Sequence, residues 1–150
     1  MKLELKHIAS YLPYGLTVQW CNGEIEDIGI YRVPSAILTN SKPILRPISD
    51  LYKVIDGVIH IVELAKIANI EVSEDFYIFY GEILATSSNS GDDFWFKDGM
   101  FVHVPCFNDN SSIVKNQLQL FEYLFQHHFD VFGLIDKGLA IDINKTQVAG

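Results

Sequence analysis

The 150-residue chain is short of the residues that staple, export or anchor a protein. It has two cysteines, Cys21 and Cys106, too few for the dense disulfide framework of a small secreted domain. Each reads first as a small buried hydrophobe. Its two arginines, Arg32 and Arg46, leave few donors for bidentate readout of phosphate or guanine. No run of about 18 uncharged apolar residues occurs, so no transmembrane helix is expected. Glu4 interrupts the opening MKLELKH, so no export signal is read there. Nucleotide-binding glycine loops are missing, since neither G-x-x-x-x-G-K-[ST] nor G-x-G-x-x-G is present. The nucleophile elbow G-x-S-x-G is missing too. These absences lead us to expect a reduced, cytoplasmic protein with no cofactor and no bound metal.

What is present is enough to build a core. Apolar residues make up 49% and aromatics 13%, too apolar for intrinsic disorder. A chain of this size buries roughly two-thirds of its unfolded surface and folds without a staple. No Pro/Gly/Ser linker divides it, so residues 1–150 read as one domain. The net charge of -8 is uneven. Residues 1–60 are balanced, whereas residues 61–110 carry two basic and nine acidic groups. That bias speaks against direct nucleic-acid binding, which needs Lys and Arg against phosphates. Its plainest reading is a solvated face; its sharper one is a surface for a basic partner.

Local patterns predict an α+β fold. LELKHIASYL (3–12) suits a short helix or a strand entry, and Pro13-Tyr14-Gly15 a turn. LTVQW (16–20) and EIEDIGIYRV (24–33) read as strands joined by a two-residue Asn22-Gly23 turn. Three prolines between 34 and 48 argue against long regular structure there. Ser49 predicts the N-cap of a helix closed by Gly57, and VELAKIAN (62–69) a second helix with Asn69 as its C-cap. FYIFYGEILA (76–85) reads as a strand broken near Gly81. FWFK-DG-MFVHV (94–104) predicts a type I′ hairpin pairing Phe94 with His103, Trp95 with Val102 and Phe96 with Phe101. Apolar residues at helical spacing predict a long helix over 111–129, capped at Asn110, Ser111 or Ser112. FGLIDKGLAIDIN (132–144) fits either a hairpin or a short helix followed by a strand. The expected architecture is one domain, an antiparallel twisted sheet with the long helix packed on one face.

Candidate sites are few. His103 and Cys106 stand at H-x-x-C spacing, and His127 and His128 end the long helix. Neighbouring helical residues point about 100° apart, so the histidine pair is not expected to share one ion. Asp130 is their natural charge partner, at a helix end that favours cations. Cys106 with His103 or His128 is the one Cys/His pairing that suggests a small enzyme. Glu71, Glu74, Asp75, Asp92, Asp93 and Asp98 form a candidate acidic surface. With Asp109 it could act as a phosphate-mimicking decoy for a nucleic-acid-binding protein. Trp95, Phe96 and Phe101 form a candidate contact surface on the hairpin.

Three islands, YLPYGL (11–16), KPILRPISDL (42–51) and FDVFGLIDKGLAIDIN (129–144), resemble small uncharacterised proteins encoded by phages and prophages of gut anaerobic bacteria. The resemblance spans both ends and the middle of the chain. It transfers no catalytic or binding residue and implies a mobile-element context. The leading expectation is therefore a non-enzymatic accessory protein acting through protein–protein contact or self-association, with no membrane and no direct nucleic-acid partner.

Overall fold

A computed structural model describes residues 1–28, 34–70, 76–79, 82–86, 93–104 and 112–146. The protein mixes helices and largely antiparallel sheets, an α+β fold. Its contacts divide it into two compact units. The first comprises Met1–Ile48 with Leu124–Gly150, the second Ser49–Tyr123.

The first unit opens with α1 (Leu5–Ile8), whose start is tied by a bond from the Glu4 backbone N–H to His7 Nδ1 at 2.9 Å. Strands β1 (Leu16–Trp20) and β2 (Ile25–Ile28) pair antiparallel, Leu16 opposite Ile28 and Thr17 opposite Asp27. Their connection is one residue longer than expected. Gly23 N–H bonds to the Trp20 carbonyl and Trp20 N–H to the Glu24 carbonyl. The loop is thus Cys21-Asn22-Gly23, with Gly23 supplying the left-handed φ of 90° that a three-residue hairpin needs. The remainder of the expected strand, residues 29–33, lies outside the described residues.

Helix α2 (Pro34–Asn40) occupies a stretch where prolines argued against regular structure. Pro34 stands at its first position, where a missing N–H costs nothing and the fixed φ suits a helix. Strand β3 (Ser41–Leu45) then pairs antiparallel with β1, Val18 opposite Pro43.

In the second unit the expected helix at Ser49 is absent. A 3-10 turn, Ile48–Tyr52, leads into a tight hairpin of β4 (Val54–Ile55) and β5 (Val58–Ile59). Asp56 and Gly57 take φ of 51° and 78°, both left-handed, as a type I′ turn requires. Gly57 therefore turns a hairpin instead of ending a helix. Helix α3 (His60–Ile67) follows and ends on Asn69. Ile70 N–H reaches the Ala65 carbonyl and Asn69 N–H the Lys66 carbonyl, a Schellman closure with Asn69 at φ 62°.

A five-stranded antiparallel sheet follows in the order β10-β9-β8-β7-β6. Strands β6 (Phe76–Phe79) and β7 (Glu82–Thr86) form a hairpin where one broken strand was expected. Strands β8 (Asp93–Lys97) and β9 (Met100–Val104) pair in the predicted register, Phe94–His103, Trp95–Val102 and Phe96–Phe101. Asp98 and Gly99, at φ 52° and 77°, make the predicted type I′ turn. The short β10 (Ser112–Ile113) adds to β9, Ser112 opposite His103.

Helix α4 (Gln117–Gln126) begins later than the sequence pattern suggested, because residues 112–113 are spent on β10. The Gln117 side chain explains its start. It donates to the Phe101 and Val114 carbonyls at 2.8 and 3.0 Å and accepts from Phe101 N–H at 3.1 Å. Phe121 meets Phe96 and Phe101 edge-on, with centroids 5.9 and 5.8 Å apart.

The chain then returns to the first unit. Residues 128–130 run alongside Arg46 in a parallel bridge, and β11 (Ile141–Asp142) pairs parallel with β3. The first sheet is therefore ordered β11-β3-β1-β2 and mixes pairing senses. One of its faces, bearing Leu16, Val18, Ile28 and Leu45, is buried against Leu3, Ile8, Tyr11, Ile37, Leu134 and Ala140. No helix among the described residues is long and apolar enough to cross a membrane.

Candidate functional site

Strand alternation decides what the opposite face of the first sheet carries. Side chains on neighbouring positions of a strand point to opposite sides. With Leu16, Val18 and Ile28 inward, Thr17, Ile25 and Asp27 point outward, joined by Ile44 of β3. Arg46 follows β3, and the return segment brings His127 and His128 beside it. Ile143 and Thr146, after β11, complete a hollow of about 360 Å³ built entirely within the first unit. Ile44, only 5% exposed, belongs to its apolar lining.

The histidines reach this hollow through the way α4 ends. Phe129 N–H bonds to the Leu124 carbonyl at 2.9 Å and His128 N–H to the Phe125 carbonyl at 3.1 Å. This is the same Schellman closure that ends α3 on Asn69, with His128 at the left-handed position, φ 59°. Phe129 and Leu124, the residues joined by the first of those bonds, are both fully buried. The next hydrogen bonds lock the segment to the sheet: Arg46 N–H to the His128 carbonyl and Asp130 N–H to the Arg46 carbonyl, each 2.8 Å. Neither histidine lies within α4, so the helical argument that kept them apart does not apply. Both line one hollow.

Electrostatics in the hollow favour neutral imidazoles. Burial lowers the pKa of His127, and the neighbouring His128 and Arg46 lower it further. Burial also lowers that of His128, against the opposing pull of the Tyr14 and Gly15 carbonyls and of Asp27; Arg46 adds to the lowering. The Nε2 of His128 is buried and has no hydrogen-bond partner. Asp27 accepts a hydrogen bond from the Thr17 hydroxyl. Among the described residues, no group of three or more His, Cys, Asp or Glu side chains is placed to hold a metal ion.

Asp130 is not the partner of the histidines. Its carboxylate turns away to accept the backbone N–H groups of Leu134 and Ile135 at 2.7 and 2.9 Å, and it is 6% exposed. Burial raises its pKa against the downward pull of those two bonds. Beside it, Tyr11 Oη donates to the Phe129 carbonyl at 2.6 Å and accepts from Val131 N–H at 3.2 Å. Burial drives this phenol far above its ordinary range.

The other candidate residues are dispersed. Phe101 is fully buried, and its ring stacks on Phe94 with centroids 5.7 Å apart. It belongs to the core of the second unit and is not available as a contact residue; Trp95 and Phe96 are half-buried. Trp95 Nε1 is buried without a hydrogen-bond partner. Glu71, Glu74, Asp75, Asp92, Cys106 and Asp109 lie outside the described residues, as do Asn110 and Ser111. Asp93 opens β8, and Asp98 is exposed at the turn after it. His103 lines a separate hollow of the second unit with Val114, Lys115 and Asn116. Cys21 is an exposed free thiol beside Gln19, Ser41 and Lys42.

Sequence reading missed Arg46, Asp27 and Thr17 as neighbours of the histidines. The Thr17–Asp27 pairing follows from the β1–β2 register and was within reach. The placement of Arg46 beside His128 rests on a parallel bridge over some 80 residues, for which the sequence carries no local signal. Comparison with protein-family models, with curated proteins and with solved structures found no match.

Proposed function

We propose that the protein is a non-enzymatic binding protein that acts by contact with a partner, and that the hollow on the outer face of its first sheet is the recognition site. The observation that carries this reading is the composition of that hollow. Ile25, Ile44 and Ile143 offer apolar walls, and Arg46, His127, His128 and Asp27 line the same hollow. A concave, mostly apolar surface with a few convergent polar groups is the usual form of a binding site. Ile25 and Ile143 are 41% and 37% exposed, enough for a partner to gain by covering them. A cytoplasmic setting and a mobile-element origin belong to the same proposal, supported by the cysteine usage and by the resemblance of the three islands.

The test places a photo-crosslinking residue at Ile143, and in a second version at Val54 of the second unit, which does not line the hollow and is 69% exposed. In the cell that makes the protein, a discrete adduct is expected from position 143 alone, and it should disappear when Arg46→Gln is added. The same adducts from both positions, or none from 143, would remove the hollow as the recognition site.

A further inference from the structure

We propose that Asn22 is a site of self-modification, at which the chain converts its own carboxamide to a carboxylate with water as the co-reactant. Asn22 is the only asparagine in the sequence followed by glycine. Both residues are exposed, in the three-residue loop between β1 and β2. A glycine presents its backbone nitrogen to the preceding side chain with no Cβ in the way. Open space surrounds the place where a Cβ would stand on Gly23, so the folded loop adds no shield of its own. Asn22 Oδ1 accepts the Glu24 backbone N–H at 3.0 Å. That bond closes a ring of atoms containing the Gly23 nitrogen and holds the carboxamide folded back over its own main chain.

The chemistry balances with water alone. The Gly23 nitrogen loses its proton and bonds to Asn22 Cγ, the Cγ–Nδ2 bond breaks, and the amide nitrogen leaves with that proton as ammonia. A five-membered succinimide remains. Water opens it at one carbonyl to aspartate, or at the other to isoaspartate, in which the main chain runs through Cβ and Cγ. Negative charge develops on Oδ1 during the attack, and the Glu24 N–H already donates to that atom, as an oxyanion donor does. One bond opposes the step: Gly23 N–H donates to the Trp20 carbonyl at 2.9 Å and must be released first. A main-chain bond of that kind is worth up to about tenfold, and the donor on Oδ1 acts against this cost. Asp56-Gly57 and Asp98-Gly99 offer the same glycine, but a carboxylate is a poorer electrophile than a carboxamide and has no ammonia to expel. Conversion adds one acidic group next to Cys21 and takes the net charge from -8 to -9. Isoaspartate also lengthens, by one carbon, the loop that the bond from Trp20 N–H to the Glu24 carbonyl closes.

The experiment incubates the folded full chain at pH 8 beside the same chain unfolded in guanidinium chloride. Peptides containing residue 22 are then followed by mass spectrometry, with fragmentation that separates aspartate from isoaspartate. The expected result is that both products accumulate at position 22 of the folded chain before any other asparagine converts. The rate should lie within about tenfold of that in the unfolded chain, the most that the Gly23–Trp20 bond can withhold. Asn22→Gln should abolish the conversion, because its ring would need six members, and Gly23→Ala should slow it. A folded chain that converts more than about tenfold more slowly than the unfolded one would show that the loop protects Asn22, and would overturn the proposal without recourse to any variant. Aspartate without isoaspartate, which signals direct hydrolysis, would overturn it as well, and so would earlier conversion at another asparagine of the folded chain.

Discussion

Asp130 is a buried carboxylate that accepts the two backbone N–H groups of Leu134 and Ile135. Removing an acceptor from a buried donor costs about 1–3 kcal/mol per group, whereas a neutral amide can still accept one of the two bonds. Asp130→Ala should therefore lower the unfolding free energy by about 2–4 kcal/mol in urea titrations, and Asp130→Asn by less than half of that. Equal losses from the two variants would mean that the charge, and not its hydrogen bonds, shapes the turn. The sequence suggested Asp130 as the partner of the histidines, but it could not show that its carboxylate points to Leu134 and Ile135 instead. Rotamer and partner depend on the turn at residues 131–135, which no residue spacing encodes.

The helix ends show how much an element owes to local chemistry. Asn69 and His128 occupy equivalent left-handed positions after α3 and α4. Asn tolerates that conformation better than most side chains, and glycine best of all. His128→Gly should raise the unfolding free energy measured at pH 8, or leave it unchanged, by up to about 1 kcal/mol, because it removes backbone strain from a half-buried side chain that lacks a partner for Nε2. A loss greater than that would show that the ring is structural packing. The same locality explains what was legible. The β8–β9 register followed from Asp98-Gly99 between alternating strands, and Val54-Ile55-Asp56-Gly57-Val58-Ile59 carries an equally clear hairpin signal, masked by reading Ser49 as a helix cap. Helix α2 was missed, because Pro34 was read as a breaker where it stands at the first helical position. The parallel edge formed by β11 and residues 128–130 was not legible, because parallel partners need no turn and leave no local signature.

For the whole molecule, pH dependence follows from the hollow. His127 and His128 have pKa values below the ordinary 6.5 in the folded state. Between those lowered values and 6.5 the unfolded chain binds more protons, so stability is complete above this window and falls as the solution is acidified through it. The urea midpoint should fall as the pH is lowered through 6.5 and below it, and His127→Gln combined with His128→Gln should flatten that fall. Asp130 works in the opposite sense and lower in pH: its raised pKa contributes stability below the ordinary carboxylate value that is lost as the pH rises through the raised one. An unchanged acid limb in the double variant would assign the drop to other groups. The two-unit division has a consequence for biosynthesis. The stretch 49–123 is contiguous, whereas its companion is assembled from both flanks, with β3 waiting for residues 128–142. On the ribosome the inner stretch can mature while Ile44 and Leu45 still lack their parallel neighbours, so the hollow on the outer face of the first sheet can close only after residues 128–146 have emerged.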